Sequence, residues 1–154
     1  MDCRHCTATQ LEVIVDDSVI TVLSEEESWS LLSAETFGRL ATAAAGEVEI
    51  FPINFVVDDR TVVFRTAPGT KLLELTVSPR VALEIDQTGD DEATSVVLKG
   101  RAVRIDAQQD IDAADLLPLR PWVPTLKYDF VRIVPEELTG RRFRLGPEPE
   151  RGYV

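Results

Sequence analysis

The chain has 154 residues, a formal net charge of −11, 44% hydrophobic and 28% charged residues. That length suits one domain that buries its own core without disulfides or a structural metal. The acidity excludes a general binder of nucleic acid or of an anionic membrane, whose affinity rests on many Lys and Arg side chains. No apolar run approaches a membrane span, and no basic-then-apolar leader opens the chain, so a cytoplasmic protein is expected. Residues 1–10 read as a flexible leader, 11–145 as a single domain and 146–154 as a loose tail.

Leu11 to Leu23 holds two short apolar stretches split by Asp16-Asp17-Ser18, which suit paired strands. Ser24-Glu25-Glu26-Glu27 has the form of a capping box, with Ser24 accepting from the Glu27 amide and Glu27 reaching back. Trp29 and Leu32 give the helix that follows one apolar face, and Phe37-Gly38 is expected to end it. Arg39 to Ala45 is a strand. Gly46 turns into a long β run, Val48 to Val57. Pro52 lies inside that run and predicts an edge or a bulge, because proline cannot donate to a ladder. Asp58-Asp59-Arg60 reads as a hairpin turn, and Thr61 to Thr66 as the return strand.

Ala67-Pro68-Gly69 then breaks the pattern. Thr70 to Val77 reads as a short helix with Leu72, Leu73 and Leu75 inward, stopped by Ser78-Pro79. Val81 to Asp86 is a buried strand, Gln87 to Thr94 a polar loop, and Ser95 to Ile105 a long strand kinked or bulged at Gly100. Asp110 to Leu117 reads as helix, Leu119 to Thr125 as irregular, and Tyr128 to Val134 and Thr139 to Leu145 as two last strands. Hairpin-joined strands with few helices favour an antiparallel barrel over alternating βαβ units.

The segment Val62 to Leu75 carries the chemistry. A strand stops, a glycine-containing turn follows, and a helix starts at Thr70-Lys71. A helix start offers free amides and partial positive charge, which suits a phosphate. Thr66 and Thr70 add hydroxyls, Lys71 an ammonium and Arg65 a guanidinium. Spacing alone fits equally well a plain helix cap at Thr70 with a solvated Lys71. The Gly-Lys-Ser/Thr order of a nucleotide-triphosphate loop is missing.

Five pieces occur in one order: Gly38-Arg-Leu-Ala41, Pro52-Ile-Asn-Phe-Val-Val57, Val63-Phe-Arg-Thr-Ala-Pro-Gly-Thr-Lys-Leu72, Val81-Ala-Leu-Glu-Ile-Asp86 and Ser95-Val-Val-Leu-Lys-Gly-Arg-Ala102. In them the sequence resembles the pyridoxamine 5′-phosphate oxidase-like flavin-binding split barrels, in particular the small flavoprotein branch that includes nitroimidazole-reductase-like proteins. The resemblance implies a mainly β fold, an antiparallel split β-barrel with a few short helices, which forms a homodimer with FMN at the subunit interface. Related branches take a deazaflavin or haem, and FAD is a further alternative. Carried over, Thr70 and Lys71 bind the phosphate. Arg65 and Thr66 line the phosphate and ribityl chain, and Ile53, Asn54 and Phe55 run along the isoalloxazine ring, partly through backbone groups. Ser95 lies near the ring or ribityl chain from a neighbouring strand, and Trp122 reaches in from the opposite protomer. The expected role is an FMN-dependent oxidoreductase with a small substrate and an electron donor that the sequence does not name; the alternative is a cofactor-binding sensor or carrier without turnover.

Two departures narrow this. The nitroimidazole-reductase branch uses a histidine near the flavin, whereas the one histidine here is His5, in the leader. A true pyridoxamine 5′-phosphate oxidase carries a C-terminal basic and aromatic set that Thr139 to Val154 does not reproduce; Arg141, Arg142 and Arg144 also fit an exposed strand face. Cys3, His5 and Cys6 lack the second ligand pair of a zinc site, so no metal is expected. Arg39 and Arg101 read first as barrel-face residues in ion pairs, and Trp29 as core.

Overall fold

The computed structural model describes residues 19–120 and 129–152, and at Thr70, Lys71 and Leu73 the backbone alone. The leader with Cys3, His5 and Cys6, the first of the two paired stretches, and Trp122 lie outside the described residues. Ten elements follow in chain order: β1 (Ile20–Val22), α1 (Glu25–Ala34), β2 (Phe37–Ala44), β3 (Glu47–Asp58), β4 (Thr61–Thr66), α2 (Thr70–Val77), β5 (Arg80–Thr88), β6 (Glu92–Arg104), α3 (Gln108–Asp115) and β7 (Asp129–Arg144). The sheet runs β1-β7-β4-β3-β2-β5-β6, and β6 pairs back onto β7 to close it. Every pairing is antiparallel. This is the expected split β-barrel. β7 is its seam: Asp129 to Ile133 pair with β4, Arg141 to Phe143 with β1, and most of its length with β6.

Local chemistry sets the boundaries. Ser24 caps α1, its Oγ accepting from the Glu27 amide at 3.1 Å, and three glutamates in the first turn complement the helix dipole. Phe37 and Gly38 do not end this helix as expected. Glu35 is already extended, at φ −97° and ψ 152°, so Phe37 and Gly38 open β2. Between β3 and β4, Asp59 and Arg60 both adopt positive φ, 46° and 54°, as a two-residue hairpin matched to the strand twist requires. Arg132 of β7 ties that turn down, donating to Asp58 Oδ2 at 3.0 Å and Thr61 Oγ1 at 2.6 Å.

Pro52 behaves as its chemistry demands. The Phe55 amide donates to Thr36 at 3.0 Å, so by alternation the nitrogen of Pro52 points away from β2. On that side β4 pairs only with Phe55 to Asp58, so no ladder bond is lost.

Two further expectations are corrected. The polar stretch Gln87 to Thr94 is mostly strand: β5 reaches Thr88 and β6 begins at Glu92, because polar side chains are at home on the outer face of a strand end. The last two strands are one. The break suggested by Pro135-Glu136-Glu137 is absorbed by a bulge, the β6–β7 register slipping between Lys99 and Gly100 opposite Pro135. A side chain at Gly100 would place its Cβ 2.2 Å from the Val134 carbonyl oxygen.

Leu40, Phe55, Phe64, Leu83, Leu98 and Ile133 fill the barrel and are fully buried with Trp29 and Leu32 of α1 beside them. Each such side chain contributes roughly 1.5–3 kcal/mol. A second, smaller cluster lies on the outer face of β4 and β7, where Val63 and Phe130 pack against Ala114 of α3 and Leu119. Among the described residues no helix is long and apolar enough to cross a membrane.

Candidate functional site

Strand β4 alternates cleanly. Val62 and Phe64 face the barrel core, while Val63 and Arg65 face the cluster under α3. Arg65 stands opposite Phe130 of β7, and its guanidinium carbon lies 5.1 Å from the centre of that ring, a cation–π arrangement. Thr66, one residue on, is buried and donates its hydroxyl hydrogen to the Ala67 carbonyl at 3.3 Å. The chain then turns through Ala67, Pro68 and Gly69 into α2.

The start of α2 differs from that of α1. Gly69 is its N-cap, no side-chain hydrogen bond closes it, and no acidic residue occupies the first turn. The first amides of a helix have no partner within it. Among the described residues neither a capping oxygen nor a first-turn carboxylate competes for them. Gly69 has φ 157° and ψ −161°, a region essentially restricted to glycine. Among the described residues a Cβ built there meets nothing within 4 Å, so none of them fills the space beside the helix start. Donors, dipole and access are those of an anion seat.

On β3, Ile53 and Phe55 are buried in the barrel core, so toward anything outside the barrel they offer main-chain groups only. Asn54 faces the other way, its Nδ2 donating to the Thr36 carbonyl at 3.4 Å. Phe55 and Phe64 form the last rung of the β3–β4 ladder; Asn54 and Arg65 follow it on their own strands, on the side away from the barrel core. The structure thus brings Arg65, Thr66 and the start of α2 together in sequence at the end of β4, with Asn54 just past the last rung of the β3–β4 ladder.

Ser95 is elsewhere in the chain's own barrel. It pairs with Asp86 on β5 and Arg141 on β7, and β6 is next to neither β3 nor β4. Arg65 stands opposite Phe130, near the other end of β7. Arg39 makes the ion pairs expected of it, at 3.0 Å to Glu84 and 2.8 Å to Asp86; Asp86 first and Glu84 second hold its guanidinium in the charged form. Arg101 is exposed, as are Arg141 and Arg144.

Two features escape a linear reading. Phe130 is the platform for Arg65, and Asp129, buried opposite Thr66, binds Arg104 at 2.7 Å. Both depend on which strand lies beside β4. Local alternation does not carry that information.

A six-strand closed barrel with a lone β1 on its seam and an uncapped helix start at the end of β4 defines the split-barrel class. Residues 24–142 match the model of the family described as pyridoxamine 5′-phosphate oxidase. The chain belongs to that family. It is 44% identical over 99 residues to an uncharacterised protein of Mycobacterium tuberculosis, covering 64% of this chain and 90% of that one. Among solved structures, a Corynebacterium glutamicum protein provisionally named a pyridoxamine 5′-phosphate oxidase is 42% identical with a TM-score of 0.77, covering 84% of this chain and 97% of that one. The FAD-binding protein of Mycobacterium smegmatis is 39% identical with a TM-score of 0.71, covering 81% of this chain and 99% of that one.

Proposed function

We propose that the chain binds a flavin nucleotide through its phosphate, FMN being the smallest form that satisfies the site, and that it works as a flavin-dependent oxidoreductase on a small substrate. The observation that carries this is the start of α2: uncapped amides, no acidic residue in the first turn and a space over Gly69 that no described residue fills. Family membership and the flavin bound by the M. smegmatis relative support it. Thr70 and Lys71 head that helix, and Arg65 and Thr66 border it from β4. The main chain of Ile53 to Phe55 and the outward Asn54 are the groups left to run along the ring.

A bound flavin supplies electron transfer, and the protein supplies binding, orientation and the electrostatic setting. The Arg65 guanidinium, set over Phe130, is a fixed positive charge beside the anion seat. A dimer with the cofactor at its interface belongs to the same proposal. The outer face of β2 and β3 exposes Val48 and Ile50, at 72% and 66%. Beside them Ala41, Ala43 and Ala82 floor a depression of about 400 Å³ rimmed by Arg80, Lys99, Glu136 and Glu137. A rim of both signs is self-complementary under a twofold axis. In that dimer Ser95 and Trp122 would serve the partner's site.

The absorption spectrum of the purified protein, followed by titration with FMN, tests the proposal. A flavin spectrum and a saturable titration support it. A colourless protein that takes up no added flavin overturns it.

A further inference from the structure

Asp129 places a carboxylate beside the anion seat, where its charge works against a phosphate. Thr66 and Asp129 are the last register partners of the β4–β7 ladder, and both are buried. Such partners stand about 4.5–5.5 Å apart and send their side chains to one face. That face continues the one of Phe64 and Val131, which share a core cluster with Leu75 of α2. Arg65 occupies the opposite face of β4, over Phe130. Only the turn Ala67-Pro68-Gly69 separates Thr66 from the first residue of α2. A buried charge this close to the helix start is little screened by salt.

A buried carboxylate calls for a partner, and Arg104 of β6 supplies it. Arg104 pairs with Val131 in the β6–β7 ladder, so it is a diagonal neighbour of Asp129 on the same face. Its Nη2 donates to Asp129 Oδ1 at 2.7 Å. The Asp129 side chain is 10% exposed and that of Arg104 52%. The acid is therefore held inward and the guanidinium reaches it from the surface. Arg104 Nε also lies 3.3 Å from Asp106, but that side chain is 77% exposed, and water screens such a pair. The charge that Arg104 cancels away from water is that of Asp129.

We propose that Arg104 is the counter-charge that keeps the head of α2 receptive to a phosphate, by cancelling the Asp129 carboxylate that faces Thr66. This rests on the flavin reading above and adds an electrostatic requirement to its site. Arg104 is a positioning residue in this role: it acts through Asp129 and does not touch the ligand. A plain structural tie between β6 and β7 uses the same contact but has a different consequence. Losing either partner of a tie loosens the site in the same way. Losing either partner of a charge balance moves the field at the seat in opposite directions.

The natural chain, Arg104→Gln, Asp129→Asn and the double variant are each titrated with FMN and with riboflavin, which has no phosphate. The preference for FMN over riboflavin is expected to fall by roughly fivefold or more in R104Q, which leaves the Asp129 charge bare. It should rise in D129N, which frees the Arg104 charge, and return close to the natural value in the double variant. Riboflavin affinity should be alike in all of them. If R104Q does not fold, a higher preference in D129N than in the double variant supports the proposal and equal values overturn it. An unchanged preference throughout, or a fall in both single variants, overturns the proposal and leaves the flavin reading standing. Failure of the natural chain to bind either flavin overturns the flavin reading. The same proteins are then titrated with inorganic pyrophosphate, read as a shift in melting temperature. Weakest binding in R104Q and tightest in D129N would retain the role of Arg104, and any other order, or no binding, would remove it.

Discussion

Arg65 and Phe130 face one another across the β4–β7 pairing, with the guanidinium carbon 5.1 Å from the ring centre. This contact joins the cluster under α3 to the anion seat, because Thr66 and the turn into α2 follow Arg65 directly. Replacing Phe130 by leucine keeps most of the buried volume but removes the ring face. The expected cost is about 1–2 kcal/mol in stability, from lost packing and a cation–π contact of roughly 0.5–2 kcal/mol. Weaker flavin binding should accompany it. Chemical denaturation and flavin titration of the same variant check both.

Lys71 heads α2. Its replacement by alanine removes one charge-assisted partner of the phosphate, worth about 1.5–3 kcal/mol, or roughly tenfold to more than a hundredfold in affinity. Flavin titration of the variant reads this directly. The melting temperature without flavin should be unchanged, since the effect lies in the ligand contact.

Gly69 combines a glycine-only backbone conformation with a space in front that no described residue fills. Gly69→Ala is therefore expected to cost about 1–3 kcal/mol from backbone strain and not from a clash. A methyl group there also stands in the approach to the amides. Thermal melts without ligand should show the first effect and flavin titration the second.

Glu49 and Glu74 link the β2–β3 hairpin to α2. Thr42 donates to Glu74 Oε2 at 3.2 Å, and the Glu49 carboxyl is held above its ordinary range by its hydrogen bond with Glu74, then by desolvation, then by the charges of Glu74 and Glu47. A raised carboxyl pKa means that the native state holds the proton more tightly than the unfolded chain. The stabilisation is fully present below the unfolded value, about 4.3, and is lost as pH rises through the folded one. Glu49→Gln mimics the protonated form. It should be more stable than the natural chain at neutral pH and equal to it at acid pH, measured as melting temperature against pH.

Much of this was legible in the linear chain, where local rules decide. Ser24 reads as a cap because its hydroxyl and the Glu27 amide are three residues apart, and the bounds of β4 and α2 follow from Ala67-Pro68-Gly69. Gly100 reads as a bulge because a strand tolerates glycine where another backbone comes close. Non-local facts were hidden. The single course of β7 through Pro135 depends on a bulge in β7 itself, where Glu136 is left without a ladder partner between Lys99 and Gly100 of β6. The Arg65–Phe130 contact and the Arg104–Asp129 pair depend on β7 lying between β4 and β6. The placement of Ser95, far along β7 from Arg65, follows from strand order, which alternation does not specify.

The central claim is that the head of α2 recognises a flavin by its phosphate. Titration of the apo-protein with FMN and with riboflavin, which is the same ring and chain without the phosphate, tests it most directly. The account predicts that FMN binds at least tenfold more tightly, and that this preference shrinks in Lys71→Ala. Equal affinities for the two, or an FMN preference that survives that substitution undiminished, would contradict it.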